Sequence, residues 1–208
     1  MFPVQSLARI ALALGALFAA ATAQAADLTV IVKDSAGKPV ADAVVIAEAP
    51  GRAPPAAQFT INQRNMQFVP YVLVIPVGST ITFGNLDPFR HHVYSFSPAK
   101  KFELKLFGQG ETRPVRFDKP GLVSIGCNIH DSMQAFIYVV DTPVARKTDA
   151  TGRVVLRGVP AGERRVRVWH PQLRAPGNQL TVSADPSKAA TLPVTIRLRR
   201  AAPVHHGY

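Results

Sequence analysis

The chain is expected to be an all-β protein, for three reasons. After the first 25 residues, short runs rich in Val, Ile, Thr and Phe outweigh strong helix formers. Several of those runs alternate apolar with polar residues, the period of a half-buried strand. Eighteen prolines and fourteen glycines fall between the runs and punctuate turns. Together they predict β-sandwich architecture with many short strands.

The first segment is of another kind. Arg9 precedes an Ala- and Leu-rich run over residues 10–21, and Ala23-Gln24-Ala25 is a small-x-small site. That is the pattern of a secretory signal peptide over residues 1–25. The protein is therefore expected to be periplasmic or otherwise exported, with no transmembrane segment after signal removal.

The chain carries a net charge of +11, and its only cysteine, Cys127, has no intrachain partner for a disulfide. A lone thiol in an oxidising compartment needs protection, either by burial or by a metal bond. The basic residues are spread along strands without aromatic interleaving, which argues against nucleic acid as a partner. An acidic protein partner or an anionic envelope surface suits the charge better.

In chain order, Leu28, Val30 and Val32 alternate with Thr29, Ile31 and Lys33, and Val44-Val45-Ile46 follows a turn. Two strands are too few to fold alone, so they need partners from elsewhere. A Pro-rich break runs from Glu48 to Pro55. Strands are then expected at Val72-Leu73-Val74-Ile75, Thr80–Phe83 and His91–Phe96. Another is read where Phe102, Leu104 and Leu106 alternate with Glu103 and Lys105. Val115 and Phe117 face inward, Asp118–Gly121 turns the chain, and Leu122–Ile125 runs into Cys127. Ala135–Val140 completes this part, and further strands are read at Val154–Leu156, Val166–Trp169 and Val194–Leu198.

Chemistry concentrates at Gly126-Cys127-Asn128-Ile129-His130-Asp131-Ser132-Met133, with His91-His92 upstream. One thiolate, two imidazoles and a thioether are the donor set of a trigonal His₂Cys copper site with a weak axial Met. Thiolate and thioether suit Cu(I), and imidazole suits both oxidation states. Zinc takes Cys and His equally, but a Met in the last place argues against structural zinc. Trp169, His170, His205, His206 and Met66 read as structural or surface residues, and Lys100, Lys101 and Lys105 as a solvated basic face.

The stretch from Phe59 to Asp141 resembles the cupredoxin, or blue copper, family. The resemblance rests on Pro76-Val77-Gly78-Ser79 between strands, Asn85-Leu86-Asp87, a His before Val93, Pro120-Gly121, and then Cys127, His130 and Met133. The short Cys-x2-His-x2-Met loop is similar to that of small cupredoxins of the amicyanin and plastocyanin type. It implies a Greek-key β-sandwich holding one type 1 copper ion through His91, Cys127, His130 and Met133. His91 is taken as the ligand because in this family the ligand His stands two before a Val-like residue. His91 and Val93 would then share a face. His92 occupies the place of an Asn that ties the ligand loops together; it is read as a supporting residue, an alternative ligand or an exposed one.

The flanks resemble the two halves of a carboxypeptidase-regulatory-like β-sandwich, on Val32–Val40, Asp149-Ala150-Thr151-Gly152 and Pro160-Ala161-Gly162. The expected organisation is a signal over residues 1–25, the first part of a small β-sandwich over 26–57 and the copper domain over 58–142. The second part of the sandwich spans 143–200, and a tail 201–208.

These resemblances imply an exported carrier of single electrons between redox protein partners, a dehydrogenase donor or a c-type cytochrome acceptor. The alternative is a copper-binding module for delivery, storage or resistance. No Ser/His/Asp grouping, phosphate loop or paired carboxylate set stands out. With four protein ligands no coordination position is left for substrate, so no catalytic turnover is expected.

Overall fold

The computed structural model describes residues 25–199. The expected signal segment up to Gln24 and the tail beyond residue 200, including His205 and His206, lie outside the described residues. Two strands come first, β1 (Ala25–Asp34) and β2 (Val44–Ala47). Nine follow: β3 (Gln58–Arg64), β4 (Gln67–Val69), β5 (Val72–Pro76), β6 (Thr80–Asn85), β7 (His91–Ser97), β8 (Lys100–Phe107), β9 (Thr112–Arg116), β10 (Gly121–Cys127) and β11 (His130–Val140). The last five are β12 (Ala145–Lys147), β13 (Arg153–Pro160), β14 (Arg164–Trp169), β15 (Gln179–Ala184) and β16 (Thr191–Ile196). Among the described residues no helix is long and apolar enough to cross a membrane.

The first and last strands share two sheets, in the orders β13-β1-β16 and β12-β2-β14-β15. Strand β1 pairs antiparallel with β13 and parallel with β16, so residues more than 150 positions apart lie side by side, as at Val32 and Val194. Leu28, Val30 and Val32 point inward as their alternation predicts, onto Val45, Leu156, Val166 and Val168. Strands β3 to β11 form the other two sheets, in the orders β5-β11-β10-β7-β8 and β4-β3-β6-β9. Between them Ile61, Phe83, Phe107, Phe117, Ile125 and Ile137 form a second buried core.

A third apolar cluster joins the two sandwiches. Val44, Ile46 and Trp169 of the outer sheet pack on Val72, Phe136 and Val140. All four residues of β2 are buried, because Val45 and Ala47 face one core while Val44 and Ile46 face this junction. That two-sided burial explains a run with no polar alternation. The chain leaves and returns at one place, where the Ala53 N–H donates to the Asp141 carbonyl at 3.1 Å.

Two details differ from the sequence reading. The pairing of β7 with β8 slips between His91 and Val93, and on β8 the inward residue at the end is Phe107, fully buried, while Leu106 is 43% exposed. A bulge shifts the side-chain alternation by one, which an unbroken alternation cannot anticipate. Strands β3, β4, β12 and β15 also form without having been expected; no residue of β15 is fully buried, so its apolar contrast is weak.

His170, next to Trp169, is buried, and its Nδ1 accepts the Gln172 N–H at 3.2 Å. Burial pushes this imidazole below its ordinary value, and Asp42 offsets part of that. A folded value lower than the unfolded one means the unfolded chain binds the proton first. Stability from His170 is thus complete above about pH 6.5 and is lost as pH falls from there through the depressed folded value. Urea melts of the metal-free protein should lose stability over that window, and H170Q should flatten the loss. An unchanged slope in H170Q would contradict this role.

Candidate metal centre

The site begins with a tight turn. Strands β10 and β11 run antiparallel, and Cys127 pairs with His130 across Asn128 and Ile129, next to a register shift at Gly126. The turn therefore forces thiol and imidazole side by side. Cys127 is buried and unpaired, and His130 is half-buried at the rim. Met133, Ala135, Ile137 and Val139 alternate inward from there, all buried, so Met133 shares the core of Cys127.

The remaining imidazole comes from β7. His91 is fully buried at the first position of that strand, and its Nδ1 lies 3.9 Å from the Cys127 sulfur. The His130 Nδ1 lies 4.0 Å from the same sulfur. One donor atom from each of the three residues falls within 4.8 Å of the others. The three form a group able to hold a metal ion. Ring centroids of His91 and His130 are 5.1 Å apart, and Phe89 closes over both at 5.0 Å and 5.8 Å.

The loop before His91 is cross-linked by side chains. Asn85 donates to the carbonyls of Phe89 and Phe107 at 2.7 and 3.0 Å, and accepts the Asp87 N–H at 2.9 Å. Asp87 Oδ2 lies 2.7 Å from the His91 Nε2. The Asp87 carboxylate also accepts the N–H groups of Asn65 and Met66, at 2.6 and 3.0 Å. Burial alone would push this carboxyl up; the Met66 N–H, the His91 ring and the Asn65 N–H hold it below the ordinary carboxylate range.

His92 points to the other side of β7. Its Nε2 meets Glu103 of β8 at 2.9 Å, and its Nδ1 is buried without a hydrogen-bond partner among the described residues. His92 is buried, lies outside the metal-capable group and is tied to the neighbouring strand, which is neither the exposed nor the alternative-ligand reading. Sequence reasoning placed Asp87 only in a loop. The signal available was an acid four positions before His91, on a turn that brings residues i and i+4 together.

The donor chemistry fits copper. With metal bonds of about 2.0 Å to nitrogen and 2.3 Å to sulfur, the zinc values, set 120° apart, nitrogen and sulfur donors sit roughly 3.7 Å from each other. The observed separations of 3.9 and 4.0 Å lie near that spacing. They are too long for good hydrogen bonds. Distance alone would admit zinc as well. A buried methionine in the same core as the thiol, and a set mixing one sulfur with two imidazoles, favour copper.

No family model and no curated protein matches the chain. Solved structures do show likenesses. The chain is similar to a copper-containing nitrite reductase from Thermus scotoductus SA-01 at 29% identity and a TM-score of 0.39, over 54% of its own length. The match spans only 28% of the length of that reductase. A purple cupredoxin from Nitrosopumilus maritimus is 22% identical over 39% of this chain and 98% of its own, with a TM-score of 0.36. A methionine-to-alanine variant of amicyanin in its Cu(I) form is 20% identical over 45% and 98%, with a TM-score of 0.37. At these TM-scores the likenesses leave the assignment to strand order and site geometry.

Strands β3 to β11 form a two-sheet β-sandwich, the architecture that the resemblance to cupredoxins implies. At one end of it stands a His-Cys-His group of copper-type donors.

Proposed function

We propose that the protein holds one copper ion through His91, Cys127 and His130, with Met133 as a weak fourth donor, and passes single electrons between exported redox partners. The observation that supports this most is the mixed nitrogen and sulfur group within 4.8 Å, two members of it buried. When bound, copper supplies a one-electron couple. The chain supplies ligands that move little when the charge changes. His91 is anchored by the loop network, and Cys127 and His130 are fixed by hairpin pairing.

The partly exposed ring of His130 is the natural port for the electron. Around it the loops present Phe89 at 42% and Ile129 at 48% exposure, an apolar rim for a protein partner. In this reading residues 58–142 are the copper domain, inserted between the two parts of an outer sandwich over 26–57 and 143–200. The protein acts as a carrier and not as an enzyme. A dehydrogenase donor and a c-type cytochrome acceptor fit that role, and an acidic partner face would complement the basic chain. The expected location is periplasmic, with the signal peptide removed.

Voltammetry of the copper-loaded chain tests the role. A reversible one-electron wave is expected, with copper retained against a chelator. Rapid loss of copper to the chelator without such a wave would favour delivery or storage instead.

A further inference from the structure

The Asp87 carboxylate lies beneath His91, 5% exposed, and both of its oxygens are used. One accepts the Asn65 N–H; the other accepts the Met66 N–H and faces the His91 Nε2. Asn65 and Met66 form the turn between β3 and β4 with φ of 53° and 55°, a left-handed pair that aims both N–H groups at Asp87. Asn85 fixes the Asp87 backbone from the other side. The β3–β4 turn holds the carboxylate and Asn85 holds the Asp87 backbone, fixing one carboxylate against one imidazole.

We infer that Asp87 is a positioning residue of the metal centre, selecting the His91 tautomer and lowering the reduction potential of the ion held there. An ionised carboxylate only accepts hydrogen bonds. The His91 proton therefore resides on Nε2, leaving the Nδ1 lone pair facing Cys127 and His130. A backbone carbonyl would orient the ring equally well. What a carboxylate adds is a full negative charge, poorly screened in a buried place, which stabilises the more positive oxidation state. The inference rests on the copper reading above, since the charge has a redox consequence only with a redox-active ion.

D87N is the test, because an amide keeps the size and one acceptor while removing the charge. The potential of the copper-loaded variant should rise by about 59 mV or more, which is a tenfold loss of preference for Cu(II) over Cu(I). Copper affinity should fall about 10–100-fold, the usual effect of losing a ligand's supporting partner. Nitrogen NMR of the metal-free wild type should find the His91 proton on Nε2, and D87N should mix the tautomers. Equal potential, affinity and tautomer in D87N would overturn the inference while leaving the copper reading standing. Wild type that takes up no copper would overturn both. Should D87N fail to fold, the wild-type tautomer decides: a proton on Nδ1 contradicts the inference.

Discussion

C127S is expected to abolish the intense colour of the copper-loaded protein and to remove most of the stability that copper confers. Cys127 is the only thiol, it is buried, and two imidazole nitrogens lie 3.9 and 4.0 Å from its sulfur. Serine keeps the size but removes the donor that suits Cu(I) and gives the cupric site its charge-transfer band. Losing a direct ligand should weaken binding by more than about 100-fold, the upper end for losing a ligand's supporting partner. At free copper of 100 times the wild-type Kd, binding stabilises the wild type by about 2.7 kcal/mol and the variant by about 0.4 kcal/mol. Urea melts with and without copper read this difference directly. A variant stabilised by copper as much as the wild type would show that the thiol is not a ligand.

The second large effect lies far from the metal. Trp169 is 2% exposed and packs edge-on against Phe136 at 5.5 Å and Tyr138 at 5.6 Å, joining the two sandwiches. W169A should cost about 3–5 kcal/mol, the usual range for deleting a buried aromatic ring. Each edge-on ring pair is worth roughly 0.5–1.5 kcal/mol beyond buried area. The loss should fall on the junction, so the denaturant melt should separate into two transitions. W169F behaves differently. The Trp169 indole N–H is buried with no hydrogen-bond partner among the described residues. Phenylalanine keeps a six-membered ring at the junction and carries no donor, so W169F should lose less stability than W169A. A single transition in W169A at wild-type stability would contradict the coupling role.

Much of this was legible in the chain because the physics is local. Strand β1 alternates legibly, since Leu28, Val30 and Val32 meet the core while the other face is half-buried or exposed. The spacing of Cys127 and His130 is set by one hairpin turn, so their adjacency follows from four residues of sequence. What was not legible depends on distant partners. The run Val44-Val45-Ile46 reads as a strand, but nothing in it says that its second face is covered by Phe136 and Val140. Leu106 and Phe107 exchange places because of a bulge set by pairing with β7. Asp87 reads as a turn former, as an Asp before a Pro commonly does. Its role appears only when the turn at Asn65 and Met66, more than 20 residues away, is seen to aim its N–H groups at the carboxylate.

The most direct test of the central claim is the absorption and electron paramagnetic resonance of the full chain loaded with one equivalent of Cu(II). A buried thiolate with two imidazoles and a weak thioether predicts an intense band toward the red end of the visible spectrum. It also predicts an unusually narrow copper hyperfine splitting. A colourless, fully loaded protein with the broad splitting of tetragonal nitrogen and oxygen ligation would contradict it.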